Sequence, residues 1–311
     1  MCRLFTFICV FIFVTSGMGK MVSVDPKIRK TILDTLTVDG SEIATITTLN
    51  GDKIYIKFFT DDAPNTVKNF ILLANIGFFD SLTFHRVVRE PSPFVVQGGA
   101  PLGNGMGGPG YTIDAEFNEQ RHLLGTVAMA RSQDPNSAGS QFYICLAPQP
   151  GLNKQYTVFG QVIKGMEVIN QIKQGDVMQS VKIERLSYDK LCLLSKGTEE
   201  SVIYAPPTPI SITLPDYPRE LVEKGIGGIV HLRILINKKG EVTTNKIIKS
   251  EIGKLNEETL GKIVGNWVFI PAKISGIGVA DWINVTIEFR IKSRYVAEVR
   301  ALGEIRTLKL R

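Results

Sequence analysis

The chain has 311 residues, 44% hydrophobic and 21% charged, which is long enough for two folded domains and too apolar for a disordered chain. Thirty-six Lys and Arg against 30 Asp and Glu leave a net charge of +6, with the basic residues scattered through both halves. That spread excludes a basic, aromatic-interleaved strip for nucleic acid and reads as a solvated surface.

Met1-Cys2-Arg3 is a short positive start, Leu4 to Val14 is continuously apolar, and Thr15 to Gly19 supplies small residues where a signal peptidase could cut. Residues 1–19 therefore read as a secretory signal, with an apolar run too short to span a bilayer comfortably. Membrane attachment is expected only if that segment is retained. Residues 20–41 are a charged lead-in with a helical turn or two after Pro26.

Regular structure starts at Glu42. Two β-rich runs, Ile43–Ile46 and Ile54–Phe58, flank Leu49-Asn50-Gly51-Asp52, and Asn-Gly between such runs predicts a hairpin. Pro64 suits the first turn of a helix whose face carries Val67, Phe70, Ile71 and Ala74, and Gly77 ends it. From Thr83 to Gly165 short β runs are broken by Gly and Pro, the pattern of a barrel or sandwich. Cys145 lies in the buried-strand pattern Phe142–Leu146 and reads as a packed thiol; a disulfide to Cys192 is left open. Met166 to Lys173 predicts a second helix and Val181 to Leu186 a last strand, giving a first domain over residues 42–190.

Residues 191–204 form a polar linker, followed by a crowding of prolines at 206, 207 and 209. Beyond it Val230, Leu232, Ile234 and Ile236 alternate with more polar neighbours. Leu260, Ile263, Val264 and Trp267 fall at helical spacing. Ile283, Val285, Ile287, Phe289 and Ile291 alternate strictly with polar residues, which predicts a sheet with one wet face and one face under helices. The second domain covers residues 205–293, and 294–311 are left as a tail.

The glycine-rich stretch Gly103–Gly110 lacks the Lys-Ser/Thr of a phosphate loop and opens no helix, so it reads as a surface loop. Ser137 and Ser140 lack the G-x-S-x-G elbow of a hydrolase. The three histidines stand far apart and no Cys or His pair has ligand spacing, so neither a metal nor a cofactor is expected.

What remains resembles the cyclophilin family. The residues that carry the resemblance are Phe84-His85-Arg86, Phe94-Val95-Val96-Gln97-Gly98-Gly99, Gly125 to Arg131, Asn136 to Ile144 and Val158-Phe159-Gly160, in family order over about residues 42–187. The resemblance implies an all-β closed eight-stranded barrel with two capping helices and a groove on its outer surface that isomerises X-Pro peptide bonds. It implies that Arg86 donates to the prolyl nitrogen, that Gln97 orients Arg86, and that His85 supports the wall beside it. Phe94, Val95, Tyr143 and Leu152 would form the proline pocket, Gln141 would line the groove, and Ala130, the Arg131 backbone and Tyr156 would complete the substrate site. Val95 and Tyr156 depart from common family residues, and Arg131 brings a cation to the groove where Asn is frequent. The partners implied are proline-containing peptides or proteins.

Residues 205–293 resemble the carboxy-terminal domain of TonB proteins through Pro215-Asp216-Tyr217-Pro218, Gly225 to Gly228, the turn at Asn237 to Val242, and Trp267 to Ala272. This implies a smaller α+β two-layer domain able to pair a partner segment with a sheet edge, hence an envelope-protein partner. Both domains and the leader agree on a protein secreted across the inner membrane into the periplasm. The alternatives to an isomerase are a non-catalytic scaffold for proline segments and an envelope transport adaptor.

Overall fold

The computed structural model describes residues 26–186, 204–217, 219–252, 257–274, 276–293, 296–302 and 304–309. The signal segment, the start of the lead-in, the linker up to residue 203 and Cys192 lie outside the described residues. The chain divides into two compact units, one holding residues 44–184 and the lead-in up to Val38, the other holding residues 185–311 and Asp39–Ile43. Among the described residues no helix is long and apolar enough to cross a membrane.

In the first unit the lead-in forms helix α1 (Pro26–Thr35). The predicted hairpin is β1 (Glu42–Thr48) and β2 (Lys53–Phe58), turned at Gly51. Helix α2 (Pro64–Asn75) starts at its proline, as expected. No side chain of the preceding residue caps it. Instead the Glu116 carboxylate accepts the Asn65 and Thr66 N–H groups at 3.0 and 2.8 Å, placing a negative charge at the positive end of the helix. The buried face of α2 drives Phe70 among Phe58, Phe79, Phe142 and Phe159, with ring centroids 4.7–5.7 Å apart, and this aromatic cluster is the centre of the core.

The remaining strands are β3 (Arg86–Val87), β4 (Val95–Gly98), β5 (Thr126–Met129), β6 (Phe142–Cys145), β7 (Val158–Lys164) and β8 (Met178–Arg185), with helix α3 (Met166–Gln171) before the last. They form one sheet in the order β3-β4-β6-β5-β7-β2-β1-β8. The expected closed barrel is corrected here: β3 and β8 are edges, and the sheet is an open, curled half-barrel. The reason is the brevity of β3, which ends at Val87. Towards β8 the chain offers only the isolated bridge of Thr83 to Val177 and the backbone bonds beside it, such as Phe84 N–H to Asp176 O at 2.8 Å.

Cys145 is a free, fully buried thiol pushed up to about 12 by burial, hence inert as a nucleophile at neutral pH.

The second unit also departs from the expectation of one small sheet on two helices, because its described residues form three sheets. Strands β11 (Gly228–Ile236), β12 (Val242–Ser250), β16 (Asp281–Ser293), β17 (Val296–Ala301) and β18 (Glu304–Lys309) form a five-stranded sheet in the order β12-β11-β16-β17-β18. The last two extend that sheet past residue 293. Strand β10 (Thr208–Ser211) pairs with β13 (Val268–Ile270), and β14 (Ala272–Ile274) pairs with both β9 (Tyr204–Ala205) and β15 (Ile277–Val279). Two helices are described, α4 (Arg219–Glu223) and α5 (Glu257–Gly265).

The alternation read from the sequence is real. Val230, Leu232, Ile234 and Ile236 of β11 and Ile283, Val285, Ile287 and Phe289 of β16 are buried, packed with Leu260 and Val264 of α5 and with Trp267. The turn after β11 needs glycine at 240, where φ is +91° and a Cβ would stand 1.8 Å from the Phe269 carbonyl oxygen.

Candidate active site

Cross-strand register builds the site. Arg86 lies opposite Gln97, Gln97 opposite Tyr143, and Tyr143 opposite Ala128, a row of four residues on the adjacent strands β3, β4, β6 and β5. Directly opposed residues share a face, and the intervening residues Val96, Phe142, Ile144 and Val127 take the other. Phe142 points into the aromatic core, so the row of Arg86, Gln97 and Tyr143 faces outward. Val95, two residues before Gln97, joins the same face.

On that face is a pocket of about 150 Å³. Its walls are Phe94, Val95, Tyr143, Leu152 and Tyr156, and its rim carries Arg86, Gln97, Ala130 and Arg131. A volume of this order accommodates a single benzene-sized ring, which suits one prolyl ring. Two predicted residues lie elsewhere. Gln141 lines an adjoining hollow of about 600 Å³ that shares Gln97, Ala130 and Arg131 with the pocket. His85 lies outside both, under the loop at Gly105, whose Cβ would come 3.5 Å from the imidazole. Burial, and then the neighbouring Arg86 cation, hold the His85 pKa below its ordinary value, so it is neutral near pH 7.

The polar side chains form a directed chain. Gln141 Nε2 donates to the carbonyls of Gly105 (2.8 Å) and Gly107 (3.1 Å). That leaves Gln141 Oε1 to accept from Gln97 Nε2 at 3.1 Å, so Gln97 Oε1 faces Arg86 and accepts from Nη1 at 3.4 Å. The glycine-rich loop, read from the sequence as plain surface, thus orients the amides of this face through two backbone carbonyls. Gly99 permits the approach behind them: its φ is +86°, and a Cβ there would sit 2.3 Å from the Ser140 carbonyl oxygen. Arg86 itself is solvent-exposed, with its guanidinium carbon 5.7 Å from the Phe94 ring centroid and most of its N–H groups turned to the groove or solvent.

One residue behind the pocket was missed. His122 is buried, its Nε2 2.9 Å from the Tyr143 hydroxyl and its Nδ1 3.2 Å from Asn153 Oδ1. The same Asn153 oxygen accepts the His122 backbone N–H at 2.8 Å, which makes it the acceptor for Nδ1–H. Nε2 therefore accepts from Tyr143, and the phenol is fixed in the pocket wall. Burial lowers the His122 pKa and raises that of Tyr143, so both stay neutral at physiological pH. The only sequence signal was a histidine three residues before Gly125, too little without the register of β6.

A wider cleft of about 1310 Å³ lies between the β1–β2 turn, the segment Val87–Glu90 and the residues around α3. It contains none of the aromatic wall or the amide chain, so size alone does not mark the site. The chemistry points to the smaller pocket.

Residues 43–188 match the family described as cyclophilin type peptidyl-prolyl cis-trans isomerase/CLD. The peptidyl-prolyl cis-trans isomerase of Synechococcus elongatus is 48% identical over 132 residues, which are 42% of this chain and 88% of that protein. This chain belongs to the cyclophilin-type isomerases. Peptidyl-prolyl cis-trans isomerase B of Bacillus subtilis is 47% identical over 137 residues, 43% of this chain and 93% of that protein. A solved cyclophilin-type isomerase of Cryptosporidium parvum, determined in the presence of the dipeptide Ala-Pro, is 30% identical with a TM-score of 0.43, covering 46% of this chain and 99% of that one. Residues 213–291 match the family described as Gram-negative bacterial TonB protein C-terminal. The cyclophilin match is thus followed, within one chain, by a second and unrelated family.

Proposed function

We propose that this protein accelerates rotation about X-Pro bonds of exported proteins, with Arg86 as the catalytic residue. The observation that carries the reading is the row of Arg86, Gln97 and Tyr143 around a pocket sized for one ring. Amide resonance sets a barrier of about 18–20 kcal/mol to this rotation. The pocket holds the prolyl ring by burying its apolar surface. As the amide twists, its nitrogen loses resonance and becomes pyramidal and basic. A guanidinium donating to that nitrogen stabilises the twisted state more than the planar one, and this difference lowers the barrier. Gln97, held by Gln141, keeps Arg86 over the pocket. Ala130 and the Arg131 backbone stand where they can hold the substrate main chain.

The deciding experiment is exchange NMR on a short X-Pro peptide with the wild-type protein and with Arg86→Ala. Catalysed exchange that the substitution abolishes supports the reading. Binding of the peptide without acceleration by wild type would make the chain a scaffold for proline segments.

The apolar leader and the TonB-like unit support export to the periplasm, with the second unit docking the isomerase to an envelope protein. Loss of leader residues from the mature chain, read by mass spectrometry of periplasmic material, tests the first part. Recovery of the same envelope protein with the full chain and not with a chain ending before Tyr204 tests the second.

A further inference from the structure

Arg131 follows β5 at the junction of the prolyl pocket and the adjoining hollow, and lines both. Its guanidinium is tied down on every side. Nε and Nη2 donate to the Gln155 carbonyl at 3.2 and 2.9 Å, and Nη1 donates to the carbonyls of Ser132 and Gln133 at 2.8 and 3.1 Å. It also sits 4.6 Å from the centroid of the Tyr156 ring. All these partners are neutral. They fix the cation in place without cancelling its charge.

The surroundings do not cancel it either. Among the described residues, no Asp or Glu lines the prolyl pocket or the hollow. Across the pocket Arg86 donates to an amide, Gln97, and not to a carboxylate. The substrate groove therefore presents two cations and no anion, and their fields add where a bound segment would run. The clamp on the 132–133 and 155 loops uses four donated bonds from three nitrogens, which accounts for a guanidinium but not for the lack of a carboxylate among the residues that line the groove with it. The unneutralised charge is the feature a clamp alone leaves unexplained.

We propose that the groove selects X-Pro segments bearing a carboxylate side chain within one or two residues of the proline, and disfavours Lys or Arg there, with Arg131 as the specificity-determining residue. The proposal rests on the isomerase reading above and adds the class of substrate. A partly solvated charge pair changes affinity by up to about fivefold, so attraction of Glu and repulsion of Lys together give about tenfold in kcat/KM.

The test uses the full chain and capped peptides identical except for Glu, Ala or Lys immediately before, or immediately after, the proline. Isomerisation is read by exchange NMR, which avoids a protease with preferences of its own. The expected result is kcat/KM about tenfold higher for Glu than for Lys on at least one side, carried by KM. That ratio should collapse towards one in about 1 M salt, where screening acts within about 3 Å. Arg131→Gln should bring the ratio close to one and Arg131→Lys should keep part of it; because each ratio is taken within one variant, a general loss of activity cancels. Equal kcat/KM for Glu and Lys on both sides in an enzyme active on the Ala peptide would overturn the proposal and leave the isomerase reading intact. A preference unmoved by salt or by Arg131→Gln would overturn it as well. No acceleration of any peptide would overturn both.

Discussion

The two arginines on the groove are held in opposite ways. Arg86 is exposed and has one long hydrogen bond, 3.4 Å to Gln97, whereas Arg131 makes four bonds to backbone carbonyls and rests on an aromatic ring. The difference follows from the tasks proposed for them. A group that must donate to a nitrogen only as the amide twists needs unspent N–H donors and some freedom to follow the motion. A group that sets the electrostatic character of the groove needs a fixed position and no neutralising partner. Both side chains carry the same charge, and their surroundings decide what it does.

Substitutions at the Arg86 wall should produce the larger effects. Arg86→Ala is expected to lower kcat/KM about 100-fold or more, the scale seen when a donor aimed at developing charge is removed, with an unchanged circular dichroism spectrum because the side chain is exposed. A loss carried by KM alone would instead mark Arg86 as a binding residue. Gln141→Ala cuts the amide chain one step further back, removing the acceptor of Gln97 Nε2 and the donor that anchors the loop. A fall of about tenfold in kcat with little change in KM is expected; an unchanged kcat would show that Arg86 needs no such support.

The two histidines beside the site, His122 and His85, give a pH signature. Burial holds both His122 and His85 below the ordinary histidine value of 6.5. Below that pH the unfolded chain binds protons that the folded one refuses. Stability is therefore full above about 6.5 and falls as pH drops through the histidine range towards the depressed folded values. Urea midpoints taken on either side of 6.5 should show this decline, and His122→Gln should flatten it. An identical slope in that variant would remove His122 as a source. The smallest effect is expected for Tyr143→Phe, which keeps the ring and loses the hydroxyl bond to His122. It should cost about 1 kcal/mol of stability, with kcat/KM changed less than by Gln141→Ala.

Local signals served both units well where an element is its own template. Pro64 and Gly77 bracket α2, Asn50-Gly51 turns the first hairpin, and the alternation from Ile283 to Ile291 matches the buried and exposed faces of β16. Of the residues assigned to the site by resemblance, nine line the prolyl pocket, Gln141 lines the hollow beside it, and His85 stands behind the wall. Besides His122, three features were not legible. The sheet's failure to close depends on β3 being too short to pair with β8, which leaves the isolated bridge of Thr83 to Val177 in its place. The role of the glycine loop depends on two carbonyls, Gly105 and Gly107, that reach Gln141 across more than 30 residues. The strands β17 and β18 carry no stronger pattern than many loops until β16 offers them an edge.

By itself the sequence determined the two-domain order, the main periodicities and the residue types of an X-Pro isomerase, because these are written in near neighbours along the chain. Only the tertiary structure decided that Arg86, Gln97 and Tyr143 stand in one row, that His122 fixes the pocket phenol, and that Arg131 is held without a counter-charge. Those facts depend on strand register and on carbonyl groups brought from distant loops. Register is set by the whole sheet packing against its core, and no local stretch of sequence contains it.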